Sequence, residues 1–236
     1  GTGKYVGGLV GSLDGTSTLE NAYATGNVTG KGNYVGGLAG LTKGTITDAY
    51  ATGNVTGEGS YVGGLVGLTK GTITDAYATG NVTVEGNYVG GLLGRLEGTS
   101  TVTNAFATGK VTGKDHVGGL VGSLDGTSTV TNAYAMGNVN GRRSVGGLVG
   151  FMQGTNTVEN AYATGIVEGT AKYVGGLVGS LNGTSTITDA YATGKVTGKG
   201  NFVGGLMGIM EGTSTLENAY ATGNVTGEGS YVGGLV

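Results

Sequence analysis

The chain has 236 residues, a formal net charge of −3 and 56 glycines, with no Pro, Cys or Trp. Lack of Cys excludes disulfide frameworks and thiolate metal or redox sites. Lack of Pro and of a G-X-Y period excludes collagen, and the near-neutral charge leaves no basic footprint for nucleic acid. No apolar run approaches the roughly 18 residues of a membrane span, and recurrent aliphatics argue against a charged disordered tail.

In chain order the first element is Tyr5-Val-Gly-Gly-Leu-Val-Gly11, which reads as one strand. It returns at Tyr34, Tyr61, Tyr88, His116, Ser144, Tyr173, Phe202 and Tyr231, at spacings of 29, 27, 27, 28, 28, 29, 29 and 29 residues. A second strand follows around Thr16–Ala24 and a third around Asn27–Gly30, with glycine-rich corners between them. Thr, Val, Ile and Tyr favour strands, Gly and Asn favour turns, and the absence of Pro suits strands that all donate to a ladder. The expectation is an all-β, right-handed β-solenoid with one repeat per coil, a single array over residues 1–236. Its coils are 5–33, 34–60, 61–87, 88–115, 116–143, 144–172, 173–201 and 202–230, with a partial coil 231–236. Stacked at about 4.7–4.9 Å, eight coils make a rod on the order of 40 Å long.

Aligned repeats give the rows that would stack. A core is expected from Val6, Leu9, Leu19 and Val28 with their counterparts, such as Leu38, Ile46 and Val55. Two aromatic ladders begin with Tyr5, Tyr34 and Tyr61, and with Tyr23, Tyr50 and Tyr77; the sequence does not tell which way they face. Thr is invariant in a third row: Thr18, Thr45, Thr72, Thr101, Thr129, Thr157, Thr186 and Thr215. Asn or Asp always stands two residues before the second aromatic, as expected of a turn whose side chains stack and bond their own backbone. Gly7, Gly8, Gly11, Gly15, Gly26 and their counterparts are expected where the chain turns or backbones approach closely.

The tetrad Gly8-Leu9-Val10-Gly11, with its variants GLAG, GLLG and GLMG in the same register, resembles the GLUG motif. That repeat occurs in bacterial secreted and cell-surface proteins, including adhesin-like arrays and regions attached to immunoglobulin-A-cleaving metallopeptidases. The resemblance covers the whole chain and implies a surface or extracellular repeat array. It brings no catalytic residues, and the HExxH zinc motif is absent.

Enzyme chemistry finds no footing. His116 is the sole His and stands in an aromatic-ladder position, Ser144 follows it in the same row without a base, and Arg142-Arg143 reads as a solvated corner. No cofactor and no structural metal are expected, although Asp48 and Asp75, stacked in consecutive coils, would form a weak cation site. The Thr-x-Thr pairs of five repeats suggest an ice-binding face, interrupted by Glu20, Glu159 and Glu217. Asn27, Asn54, Asn81, Asn182 and Asn224 stand in N-x-T glycosylation sequons, read first as ladder residues. The array stops inside a GLVG tetrad without a distinct capping repeat, as expected of a segment of a longer array or of a subunit that stacks end to end. The expected function is structural: an extracellular fibre or adhesin stalk whose partner is another copy, by end-to-end stacking or lateral bundling, or else surface glycans or other cells. Nucleic acid and a membrane span are not expected.

Overall fold

A computed structural model describes residues 1–236. The chain is all-β and winds as a parallel β-solenoid of about eight turns, with four sheets running along it. The first sheet stacks nine strands from Tyr5–Gly7 to Tyr231–Gly233, and the second stacks eight from Val10–Leu13 to Met207–Gly212. The third is built on seven-residue strands such as Thr45–Ala51 and Thr72–Ala78, and the fourth on short strands from Val28–Gly30 to Val225–Gly227. Register follows the repeat: Tyr5 pairs with Tyr34, Ile73 with Val102, and Val82 with Val111.

The Y-V-G-G-L-V-G string, expected as one strand, is two strands on two sheets, and its second glycine with the following Leu makes the corner between them. A Cβ on Gly37 would lie 2.1 Å from Gly64 O and 2.8 Å from Ala51 Cβ, so only glycine lets adjacent coils close there. The Leu that follows carries an unbroken line of backbone bonds up the rod. Leu38 N donates to Leu65 O (2.9 Å), Leu65 N to Leu92 O (2.8 Å) and Leu92 N to Leu120 O (2.9 Å).

This corner also divides the interior, expected as a single narrow core, into two. The larger core holds 37 buried residues between the second and third sheets, among them Leu38, Ala39, Ile46, Ala49 and Ala51. The smaller is 15 valines between the first and fourth sheets, among them Val28, Val35, Val55 and Val62. Leu38, Ile46 and Val55 are fully buried, as expected of core residues, whereas Val6 and Leu19 are half-buried. Leu9 departs from expectation: it keeps its place in the row but is 52 % exposed, because no coil lies beneath it. A narrow solenoid buries each side chain mainly against its neighbours above and below, so the first and last layers stay open.

In the six interior coils the Asx row lies within the third sheet's strands, not in a turn. Asn21, Asp48, Asp75, Asn104, Asn132, Asn160, Asp189 and Asn218 all have φ between 48 and 52°. Strict alternation would place Asp48 inside. The left-handed residue reverses the pleat, so Ile46, Ala49 and Ala51 all point inward. Asn and Asp tolerate that conformation better than other side-chain-bearing residues. Their amides bond along the rod and not to their own backbone: Asn132 Nδ2 donates to Asn104 Oδ1 (3.0 Å) and Asn160 Nδ2 to Asn132 Oδ1 (2.7 Å).

Of the glycines expected to turn the chain, Gly15 has a left-handed φ, 61°, and marks the corner between the second and third sheets. Gly7 and Gly11 lie within strands. In coils 2 and 3 that corner is two residues shorter, and Thr42 and Thr69 are buried where Leu96, Leu124 and Leu181 stand in later coils. The longer corners are tied by a buried polar row, with Ser128 N donating to Asn156 Oδ1 (3.0 Å) and Asn156 N to Ser185 Oγ (3.0 Å).

Candidate interaction surfaces

The outer face of the third sheet carries the Thr, Asx and second aromatic rows side by side. Tyr23, Tyr50, Tyr77, Phe106, Tyr134, Tyr162, Tyr191 and Tyr220 form one uninterrupted stack, with ring centroids 4.9–5.2 Å apart and planes within 9° of parallel. The row faces outward: its interior rings are half-buried and the terminal Tyr23 and Tyr220 are exposed. Each ring face is covered by the next ring, so the row offers solvent a line of edges and hydroxyls. A sugar ring that needs an aromatic face finds one only at the two ends. Desolvation within the stack, with neighbouring tyrosines second, pushes the Tyr162 and Tyr191 phenols up.

All eight residues of the Thr row are exposed or half-exposed. Thr47, Thr74, Thr103 and Thr131 flank the row over four consecutive coils, Thr188 does so in coil 7, and Glu20, Glu159 and Glu217 take that second position in the other three. Asp48 and Asp75 stand exposed one coil apart, and Asn104 Nδ2 donates to Asp75 Oδ1 (2.9 Å). No group of three or more His, Asp or Glu side chains forms around them or elsewhere. The sequon residues Asn27, Asn54 and Asn81 act as ladder residues: each Oδ1 accepts a backbone N–H from the following coil at 2.8–2.9 Å. Asn182 Nδ2 donates to Glu211 Oε2 at 3.5 Å.

The first aromatic row is less regular. Tyr5, Tyr34, Tyr61, Tyr88 and His116 stack at 4.8–5.1 Å. Ser144 then leaves a gap, and Phe151 leans in from the second sheet to lie 4.9 Å from His116 at 48°. Tyr61, Tyr88, His116, Ser144 and Tyr173 all have φ between 51 and 69°, strained for side chains of this bulk. The Arg95 guanidinium lies over Tyr61 and Tyr88 at 5.6 and 5.7 Å and donates to Asp125 Oδ2 (2.9 Å), which also accepts from Ser123 Oγ (2.6 Å). Burial opposes the charge on Arg95, and Asp125 and Glu97 more than offset it, so its pKa is raised. Burial lowers the pKa of His116, with Arg143 adding to the shift, and its Nδ1 has no hydrogen-bond partner.

Sequence reasoning missed a third feature, at the corner between the fourth and first sheets. Six residues separate the paired valines at this corner in most coils, as from Val82 to Val89 and Val167 to Val174. Only five separate Val111 from Val117 and Val139 from Val145. The missing residue corresponds to Gly86 of the coil before and Ala171 of the coil after. The shortened pair of corners leaves a cleft of about 440 Å³ whose lining includes Glu85, Thr112, Lys114, Asn140, Arg142 and Thr170. Beside it Arg142 grips Asp115 with two bonds, Nε to Oδ1 (3.1 Å) and Nη2 to Oδ2 (2.6 Å), while Arg143 Nη2 stands 3.8 Å from the same carboxylate. The Asp115 side chain is 8 % exposed and that of Arg142 is 51 % exposed, so this pair is a fixed guanidinium on a buried anchor and not a freely solvated corner. The signal was present in the spacing, which is 28 for the two coils that begin at Tyr88 and His116 against 29 for the first coil and the last three.

Four parallel sheets and coil-periodic rows define a repeat protein of the β-solenoid class. The GLUG motif model matches residues 2–29, 31–56, 58–83, 85–112, 115–140 and 170–197, and the chain belongs to that family. No curated protein and no solved structure matches the chain.

Proposed function

We propose that the chain is a non-catalytic structural and interaction element outside the cell, a rod within an adhesin stalk or an extracellular fibre. The observation that carries this reading is the unbroken coil-to-coil ladder: all four sheets run the length of the stack in one register. Such a body is stiff along its axis, because every coil is bonded and packed only to its neighbours. Two copies stacked end to end would pair through the same parallel ladders that join neighbouring coils within the rod. Between copies, that contact is head-to-tail and non-closing, and builds filaments. Electron microscopy and sedimentation equilibrium of the purified chain test self-stacking. Filaments that lengthen with concentration are expected; uniform rods of about 40 Å at every concentration would refute it. Surface location is tested by antibody labelling of intact source cells, and signal only after lysis would overturn it.

A second reading, ice binding, has one observation in its favour. Thr45/Thr47, Thr72/Thr74, Thr101/Thr103 and Thr129/Thr131 form an outward two-by-four hydroxyl lattice. A nanolitre osmometer decides it: thermal hysteresis and ice shaping support the reading, and their absence removes it.

A further inference from the structure

We propose that the cleft at the shortened corners of coils 4 and 5 binds a carboxylate-bearing saccharide chain lying across the rod. The inference does not depend on whether rods stack, since the cleft is complete within one chain. Its walls are the full-length corners of the flanking coils, at Glu85 on one side and Thr170 on the other. Two consecutive coils give it its width, about 10 Å at the strand spacing, which admits one extended chain.

The chemistry of the lining selects the ligand. Lys114 and Arg142 both line it, and the guanidinium is already oriented by Asp115, so a ligand carboxylate meets a donor that loses little freedom on binding. Glu85, Thr112, Asn140 and Thr170 supply the mixed acceptors and donors that sugar hydroxyls require. The chain's three arginines, Arg95, Arg142 and Arg143, all fall in coils 4 and 5, so the departure from the repeat is one of chemistry as well as of length. Alternatives fit less well. A peptide strand needs free main-chain groups at an edge, but Lys114 N donates to Gly86 O, Arg142 N to Lys114 O and Ala171 N to Arg142 O.

The test is isothermal titration of the 236-residue chain with a galacturonic acid hexamer, against a glucose hexamer and hexaglutamate as controls. Expected are saturable one-site binding of the uronate that weakens with salt, and at least tenfold weaker binding of both controls. One variant inserts a Gly after Lys114 and another after Arg142, which restores the regular corner and closes the cleft; uronate binding should fall at least tenfold with the circular dichroism spectrum unchanged. Should that variant fail to fold, Lys114→Gln, at an exposed side chain, serves instead and should weaken binding about tenfold, the scale of one charge-assisted bond. No binding by the native chain, equal binding of either control, or retained affinity in the folded insertion variant or in Lys114→Gln would each overturn the proposal.

Discussion

Replacing Gly80 and Gly26 with Ala separates the two reasons a chain can be rich in glycine. Both stand in the A-T-G corner between the third and fourth sheets, and neither has a left-handed φ, so Ala suits the backbone at each. They differ in what lies beneath. A Cβ on Gly80 would sit 2.0 Å from Gly53 O, 2.5 Å from Gly53 C and 3.0 Å from Asn54 N, whereas a Cβ on Gly26 meets nothing within 4 Å. Every atom that crowds Gly80 is backbone, so relief requires the coils to part by roughly 1 Å. Two flanking bonds would stretch, Thr79 N to Ala51 O (3.1 Å) and Asn81 N to Asn54 Oδ1 (2.8 Å). At about 1 kcal/mol for each bond and about 1–3 kcal/mol for overpacking, the native state loses about 3–5 kcal/mol. Reduced unfolded-state entropy returns about 0.4–1 kcal/mol to both variants. Gly80→Ala should therefore destabilise by about 2–4 kcal/mol, and Gly26→Ala should be neutral or slightly stabilising. Urea titration followed by far-UV circular dichroism gives the global change. Hydrogen exchange locates it, with protection lost around coils 2 and 3, since an array sums local terms. Equal effects of the two substitutions would refute the claim that coil-to-coil approach imposes glycine here.

Three further outcomes rest on departures from the mean repeat. Folded His116 takes up a proton less readily than unfolded His, whose pKa is 6.5, so it costs nothing at neutral pH. Stability falls as pH drops through that value, because the unfolded chain then binds the extra proton; His116→Tyr should flatten this loss between pH 7.5 and 5.5, and parallel urea midpoints for the two proteins would count against it. Arg142→Ala should destabilise more than Asp115→Asn, by about 1 kcal/mol or more, because the first leaves a buried carboxylate short of donors while the second leaves half-exposed guanidiniums to water; thermal melts of both variants check the order. Asn132→Ala should cost about 1–2 kcal/mol, through the left-handed φ of 52° and two lost amide bonds, and Asn132→Gly less, because it keeps the conformation and loses only the bonds; an Ala variant as stable as the Gly variant would show the conformation to be unimportant.

The solenoid, its coil spacing and most of its buried rows were legible because every coil solves the same packing problem, and the solution is printed eight times. Val35, Leu38, Ile46 and Val55 could be named as inward from invariance of type alone. Row statistics carry no backbone angle, so they could not show that the chain bends at Gly37 and Leu38, sharing one apolar string between two sheets and splitting the core. Nor could they show that Asp48 reverses the pleat within a strand. Both features depend on which φ and ψ a residue occupies, and Gly and Asx are the residue types compatible with more than one answer. Leu9 fails for another reason: burial in a solenoid belongs to a layer with neighbours and not to a residue type.

The cleft shows what regularity conceals. An averaged repeat of about 28 residues gives no sign that the spacings of 28 at coils 4 and 5 are departures. Structurally they are two deletions at one corner, in register, beside Arg142 clamped to Asp115. One deletion alone would leave a dent one strand spacing wide, about 5 Å, which the longer corners on either side would close. Two in succession, at the same residue of the repeat, keep the walls apart. In a rod whose sides otherwise repeat with the coil, a ligand can find a fixed address only where the period breaks. These coils break it in length, in charge and in the aromatic row at once, through Arg95, Arg142 and His116, and Ser144 at the start of coil 6 extends the break. The regular coils make the rod, and the irregular ones are where recognition belongs.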